Sequence, residues 1–303
     1  MTAIAGAQPS RQHLDSVALL AGLLAPATWG LTGVFVRLLH GLPTLSIVAV
    51  RLVIAALVLL PWAVRRRRAF PEVWRSPLAA AMGAYYIFAT EAFARAPVVD
   101  VTLLVGSAPV IAIGLESLRG LRPVRQQLAG AIIAVIGLVV FLRPGGEVSN
   151  ERAFGYLCAV GAAAVSAAYA VGLRARTHAV RPLDPLALTV MACLIGAVAS
   201  VLLMGGSTTH WVVPAPTPGE AAYLAVLGVV CTAVPTLAFG VASARLPAVL
   251  TTSLGLMTPL FAALFAAFLL HEWPSLAAIP GALIAIVGVV MVPRSPARPS
   301  PRA

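Results

Sequence analysis

Apolar residues run through this chain in long blocks, and the polar ones gather in short joints between them. A bilayer core about 30 Å thick needs about 20 mostly apolar residues per helix. By that measure the pattern predicts ten spans, near residues 16–39, 44–64, 77–96, 99–119, 126–143, 153–174, 185–205, 219–242, 246–271 and 274–293. The joints carry helix breakers or charge: Gly41-Leu42-Pro43, Arg65 to Arg68, Pro97, Arg122-Pro123, Pro144-Gly145-Gly146, Arg181-Pro182, Gly205-Gly206 and Trp273-Pro274. Residues 1–15 form a polar N-terminal segment, and residues 294–303, rich in proline and arginine, read as a disordered tail. The first apolar block exceeds the 7–15 residues typical of a secretory h-region, so it is read as a retained helix.

Composition supports this reading. A chain of 303 residues would ordinarily make about two soluble domains. Here 60% of residues are hydrophobic and 10% charged, against about 45–50% and about 25% in globular proteins. No soluble core uses that much apolar surface, and disorder and disulfide scaffolds are excluded as well. The expected class is an all-α integral membrane protein. Cys158, Cys193 and Cys231 lie inside apolar blocks with no CxxC spacing, so neither a disulfide framework nor a metal site is expected.

The net charge of +11 comes from 21 arginines and no lysine. No zinc-finger spacing or RNP motif accompanies them, so nucleic acid is not an expected partner. Their placement instead sets orientation. With ten spans and the N-terminus inside, sixteen arginines fall on the inner side and four on the outer, while Arg51 lies within a span. This positive-inside bias places both termini in the cytoplasm. A lysine-free chain rich in Ala, Arg and Pro points to a GC-rich bacterial genome, hence to the plasma membrane.

The two halves repeat. Ala94, Arg95, Pro97, Val99, Thr102, Leu104 and Pro109 recur 150 residues later as Ala244, Arg245, Pro247, Val249, Thr252, Leu254 and Pro259. GAIIAVIGLVV at 130–140 recurs as GALIAIVGVVM at 281–291. The expected units are 16–143 and 153–293, each of five helices. An odd number of spans inverts the second unit in the membrane, and inverted repeats are a transporter architecture with the binding site near the midplane.

A five-plus-five arrangement with A-R-x-P, a mid-helix proline and a G-A-x5-G helix in each half resembles the EamA domain of the drug/metabolite transporter superfamily, over about residues 16–293. The resemblance implies a carrier of small solutes, often an exporter of amino acids or related metabolites. The family's glutamate between the fourth and fifth helices of a repeat is matched once, by Glu272; its first-half counterpart here is Arg122.

Polar residues inside apolar spans are the candidate site. Arg51 lies about 10 Å below the outer surface at 1.5 Å per residue, where a charge costs at least about 2.5–3.5 kcal/mol unless it meets a partner or water. It either snorkels or pairs for structure, or lines a cavity and meets a carboxylate or phosphate on the solute; an arginine here also resembles the second-helix arginine of many family members. Glu91 precedes Arg95 by one turn, the spacing of an interfacial ion pair; alternatively it faces Arg51 or carries a proton. Asp100 and Glu272 suit helix N-termini. Trp29 sits mid-span, away from the interfaces where tryptophan gathers, and Tyr169 lies at a comparable depth in the sixth span; the two would flank a central site or simply pack. Tyr85 and Tyr86 are further candidates, although neither shares a helical face with Glu91. Ser107, beside Pro109, and Thr236, beside Pro235, would satisfy freed carbonyls or touch solute.

No cofactor is expected. The partners are a small-molecule solute and the lipid bilayer, with proton coupling left open and a monomer or homodimer as the assembly. A channel or lipid flippase on the same fold is the alternative. An integral membrane enzyme fits less well, because the five histidines are scattered over loops and span ends and no acids pair at one depth.

Overall fold

A computed structural model describes residues 15–39, 41–96, 101, 104–122, 125–142, 150–176, 182–206, 215–269, 276, 279–292 and 298–299. Segment 1–14, the Pro97 turn with Asp100, the joint at 145–146, Glu272 and most of the tail lie outside them.

The described residues are almost wholly helical. The helices are α1 (Ser16–Gly30), α2 (Thr32–Leu38), α3 (Thr44–Arg65), α4 (Phe70–Trp74), α5 (Pro77–Arg95), α6 (Ala108–Leu118) and α7 (Arg125–Leu142). In the second half come α8 (Asn150–Arg176), α9 (Pro185–Gly206), α10 (Pro218–Gly228), α11 (Val234–Arg245), α12 (Ala248–Leu254), α13 (Thr258–Leu269) and α14 (Ile279–Met291). A π-helical turn, Val229–Ala233, joins α10 to α11, and a 3-10 turn, Gly255–Met257, joins α12 to α13. Among the described residues, six stretches are long and apolar enough to cross a membrane: Ser16–Val36, Thr44–Arg65, Arg152–Arg176, Pro185–Gly205, Pro218–Arg245 and Ala248–Leu269. Ala108–Leu118, Arg125–Phe141 and Ile279–Met291 are shorter apolar helices.

Polar caps start these helices where the apolar blocks begin. Asp15 accepts hydrogen bonds from the Val17 and Ala18 amides at the head of α1, and Ser76 accepts from Leu78 N with Pro77 in the first turn of α5. Thr217 and Glu220 form a reciprocal capping box at α10. Each satisfies amides that have no partner inside the helix. Pro109 and Pro259 are each the second residue of a helix that follows a break, so prolines 150 positions apart occupy the same local setting. Pro61 lies inside α3, an interruption the pattern reading did not single out.

Packing between the halves is paired. α3 packs against α9, α7 against α14, and α6 against α12. The contacts of α5 with α8 and α9 are matched by those of α1 with α11 and of α3 with α10. The closest approach is between α7 and α14, whose glycines come from the repeated GA motif. A Cβ on Gly137 would lie 2.7 Å from Ala285 Cα, and one on Gly288 would lie 2.6 Å from Ala134 Cα. At the two ends, a Cβ on Gly130 would meet Gly288 O and Val292, and one on Gly281 would meet Gly137 O and Phe141. Start meets end, so the two helices run antiparallel, backbone against backbone. Small residues permit such contact, which is the main attraction between helices in lipid.

One end of the bundle gathers the charges. Arg245 reaches Asp15 at 3.0 Å, and Arg66 reaches Asp184 at 2.6 Å. Arg174 donates to the carbonyls of Ala244 and Arg245, and Arg119 to that of Val171. The tail, expected to be disordered, contributes Arg298–Pro299, whose backbone pairs antiparallel with Leu121–Arg122. Cys158, Cys193 and Cys231 are free, buried thiols.

Candidate functional site

The centre of the bundle holds Arg51, 5% exposed and surrounded by helices. Its Nη2 donates to Thr90 Oγ1 at 3.4 Å, and its Cζ stands 5.0 Å from the centre of the Tyr86 ring. Thr90 spends its own proton on the Tyr86 carbonyl, at 2.6 Å, and so offers Arg51 a lone pair. Arg51 Nε has no partner, and among the described residues no carboxylate lies within ion-pair distance of it. A cation over an aromatic face is partly compensated. That face and one long hydrogen bond leave most of its five donors unused.

From Arg51 an aromatic line crosses the bundle. Tyr86 meets Tyr85 edge-on with centroids 5.5 Å apart, Tyr85 lies 5.9 Å from Trp29, and Trp29 lies 5.4 Å from Phe239. Phe239 stacks on Tyr169 at 5.8 Å. The line thus draws on α5, α1, α11 and α8, two helices from each half. Tyr86 is also hydrogen-bonded to Thr236. Because Thr236 already donates to Thr232 O at 2.6 Å, Tyr86 is the donor to Thr236. These two partners stand 150 positions apart, the offset of the repeat.

The π-helical turn brings α10 and α11 onto this centre. Pro235 has no amide proton to continue the ladder, and Thr232 Oγ1 caps the carbonyl five residues back, Leu227 O, at 2.7 Å. Gly228 lets the turn close on α3, since a Cβ there would fall 3.1 Å from Arg51 O. Several buried polar atoms nearby lack a well-formed hydrogen bond: Trp29 Nε1, which faces the Tyr86 hydroxyl, Thr32 Oγ1 and Tyr169 OH. Each such atom costs about 1–3 kcal/mol while unsatisfied, and a solute with acceptor atoms would relieve that cost.

Of the residues weighed for the site, Trp29, Arg51, Tyr85, Tyr86 and Tyr169 belong to this one assembly. Glu91 stands apart, paired with Arg95 at 2.9 Å, whose guanidinium also covers Phe154. Ser107 donates to Leu104 O at 2.6 Å, the local bond that satisfies a carbonyl near Pro109. Thr236, weighed beside Pro235, joins it through Tyr86; Phe239 and Thr90 complete the assembly and were not among the candidates. Among the described residues, no group of His, Cys, Asp and Glu is placed to hold a metal ion.

Long apolar helices packed around a buried cation and an aromatic line define a multi-pass helical membrane protein. The model of the EamA-like transporter family matches residues 16–143 and again 153–293, nearly the whole chain. The chain belongs to that family and is a membrane transporter of the drug/metabolite type. A solved structure described only as the crystal structure of a protein superposes with a TM-score of 0.75 at 21% identity, covering 91% of this chain and 96% of that one. At that identity the likeness concerns the fold alone. No curated protein matches the chain at a significant level.

Proposed function

We propose that the chain is a secondary transporter that moves a small carboxylate-bearing metabolite, an amino acid or a related solute, by alternating access. Ten spans form two inverted five-helix units, 16–143 and 153–293, both termini are cytoplasmic, and the work is efflux across a bacterial plasma membrane. The observation that carries the reading is Arg51: a cation buried in an apolar bundle, with an unpartnered Nε and, among the described residues, no carboxylate beside it, at the head of an aromatic line built from both halves. A solute carboxylate would give it a charge-assisted, bidentate contact, and the aromatic faces would take an apolar side chain. The antiparallel α7–α14 seam and the paired helix contacts support the inverted arrangement.

The test is flux in proteoliposomes, with amino acids and their carboxylate analogues as candidate solutes and with a pH gradient imposed or absent. Saturation and counterflow are the expected signs of a carrier; unsaturable flux without counterflow would instead mark a channel. Arg51→Lys should insert and remain stable but transport less, because lysine cannot reproduce the planar fork. Arg51→Gln should transport less still. Normal transport by both variants would remove Arg51 from the site. If both failed to accumulate in the membrane, its role would be structural.

A further inference from the structure

A second cationic site stands outside the bundle centre. Arg65 ends α3, Arg67 and Arg68 lie in a 3-10 turn, and α4 follows. With Arg66, Ala69 and Asp184 they line an open recess of about 670 Å³. This is no loose loop. Val73 of α4 is fully buried, and Phe70 packs beside Leu59, Leu186 and Val190. Arg66 is clamped to Asp184 at 2.6 Å, and Asp184 in turn accepts from Ala187 N at the head of α9. The clamp takes up one guanidinium. Arg65, Arg67 and Arg68 remain exposed, with no carboxylate within ion-pair distance among the described residues.

The surroundings fix the depth of the recess. Trp62 and Trp74 flank the arginines and are 56% and 73% exposed, and tryptophans in that position mark the headgroup level of a bilayer. Leu60, Trp62 and Val64 present apolar surface on the adjoining stretch of α3. Arginines serve orientation wherever they fall in an inner segment. That requirement does not account for three unpaired guanidinia gathered round a braced recess. Guanidinium forks match phosphate oxygens in pairs.

We propose that this recess binds the phosphodiester headgroup of an anionic membrane lipid through Arg65, Arg67 and Arg68, with the acyl chains lying along the exposed face of α3. Arg66 stays on Asp184 and keeps the recess open. Because α3 also carries Arg51 and packs against α9, the lipid braces the helix pair that holds the central cation. The proposal rests on the chain being in a membrane and does not depend on the transport reading.

The experiment is a titration of the purified full chain in neutral detergent with phosphatidylglycerol or phosphatidylcholine, read by native mass spectrometry and by melting temperature. Phosphatidylglycerol should remain bound and raise the melting temperature, whereas phosphatidylcholine should do neither. Each arginine near an anionic headgroup contributes about fivefold in affinity. The triple variant Arg65→Gln/Arg67→Gln/Arg68→Gln should therefore bind roughly a hundredfold more weakly. The corresponding triple lysine variant keeps the orienting charge and should bind with intermediate strength, and Arg67→Gln alone should lose about fivefold. Undiminished phosphatidylglycerol binding by the glutamine variants would overturn the proposal. If the triple glutamine variant fails to insert, undiminished binding by Arg67→Gln and the lysine variant would overturn it equally. Inorganic phosphate and glycerophosphate form the second arm: stabilisation by either at the concentration effective for the lipid would make this a site for free phosphate and refute the lipid reading.

Discussion

Replacing Gly137 with alanine places a methyl group where α7 and α14 leave no room for one. On the present backbone its Cβ would lie 2.7 Å from Ala285 Cα, against about 3.5–4.0 Å for a relaxed carbon–carbon contact. The helices must therefore part locally by about 1 Å, which loosens every dispersion contact along the seam. Overpacking costs about 1–3 kcal/mol, and an obstacle made of backbone rather than a flexible side chain puts this site in the upper part of that range, about 2–3 kcal/mol. The helix preference of alanine over glycine returns about 1 kcal/mol. The net loss expected is about 1–2 kcal/mol, or about 2–4 °C in melting temperature at about 2 °C per kcal/mol for a chain this long. Gly288→Ala meets the reciprocal obstacle, 2.6 Å from Ala134 Cα, and should lose as much. The double variant should lose less than the sum, because the first separation makes room for the second methyl. Gly114→Ala is the control, since a Cβ there meets nothing within 4 Å, and it should be neutral or stabilising. Thermal unfolding in detergent, followed by tryptophan fluorescence, reads all four. Wild-type stability in Gly137→Ala, or losses at 137 and 288 that differ by more than about 1 kcal/mol, would refute the reciprocal seam.

Tyr169→Phe removes a buried hydroxyl with no partner, so stability should rise by about 1 kcal/mol while transport falls; unchanged transport would take that hydroxyl out of the solute's reach. Arg245 donates to Asp15 and holds its carboxyl below the ordinary 3.8, so the pair adds stability above that value and loses it as pH falls through the lowered one. Asp15→Asn keeps a good helix cap, so it should melt below wild type at neutral pH and level with it in strong acid; a gap independent of pH would rule out the ion pair as its source. Reporters should read cytoplasm after Arg302 and the exterior at Gly146; protection of 145–150 from external labels would refute the count of ten.

How much the sequence reveals depends on contrast. Arg51, Trp29, Tyr85 and Tyr169 stand out because a charge or a polar ring within an apolar block needs a reason. Phe239 offers no such contrast. In a soluble helix the apolar stripe shows which face is buried, but lipid is as apolar as the core, so in a spanning helix that stripe disappears. Tyr86 illustrates the consequence. Measured against Glu91 it lies on the wrong face, yet Glu91 is turned to Arg95, and the face that matters is the one toward Arg51 and Thr236. The π-helical turn also escapes the pattern: Pro235 signals an interruption, but not that one extra residue enters the coil ahead of it. The glycines of the GA motif were legible as a repeat. That the two copies pack against each other follows only from the fold.

Tyr86 and Thr236 are the same position counted twice, and they touch. A residue in contact with its own counterpart sits where two copies of a fold turn into one another. Were the protein two identical chains, that place would have to accept the same side chain from both sides, and two tyrosine rings would contend for the space now shared by one ring and one small hydroxyl. A single chain carrying both copies escapes the constraint. It can set a ring hydroxyl on one side against a small hydroxyl on the other, a pairing of sizes that identical partners cannot offer. With a small residue at 236, the ring of Tyr86 leans over Arg51 while its hydroxyl stays bonded across to the other half.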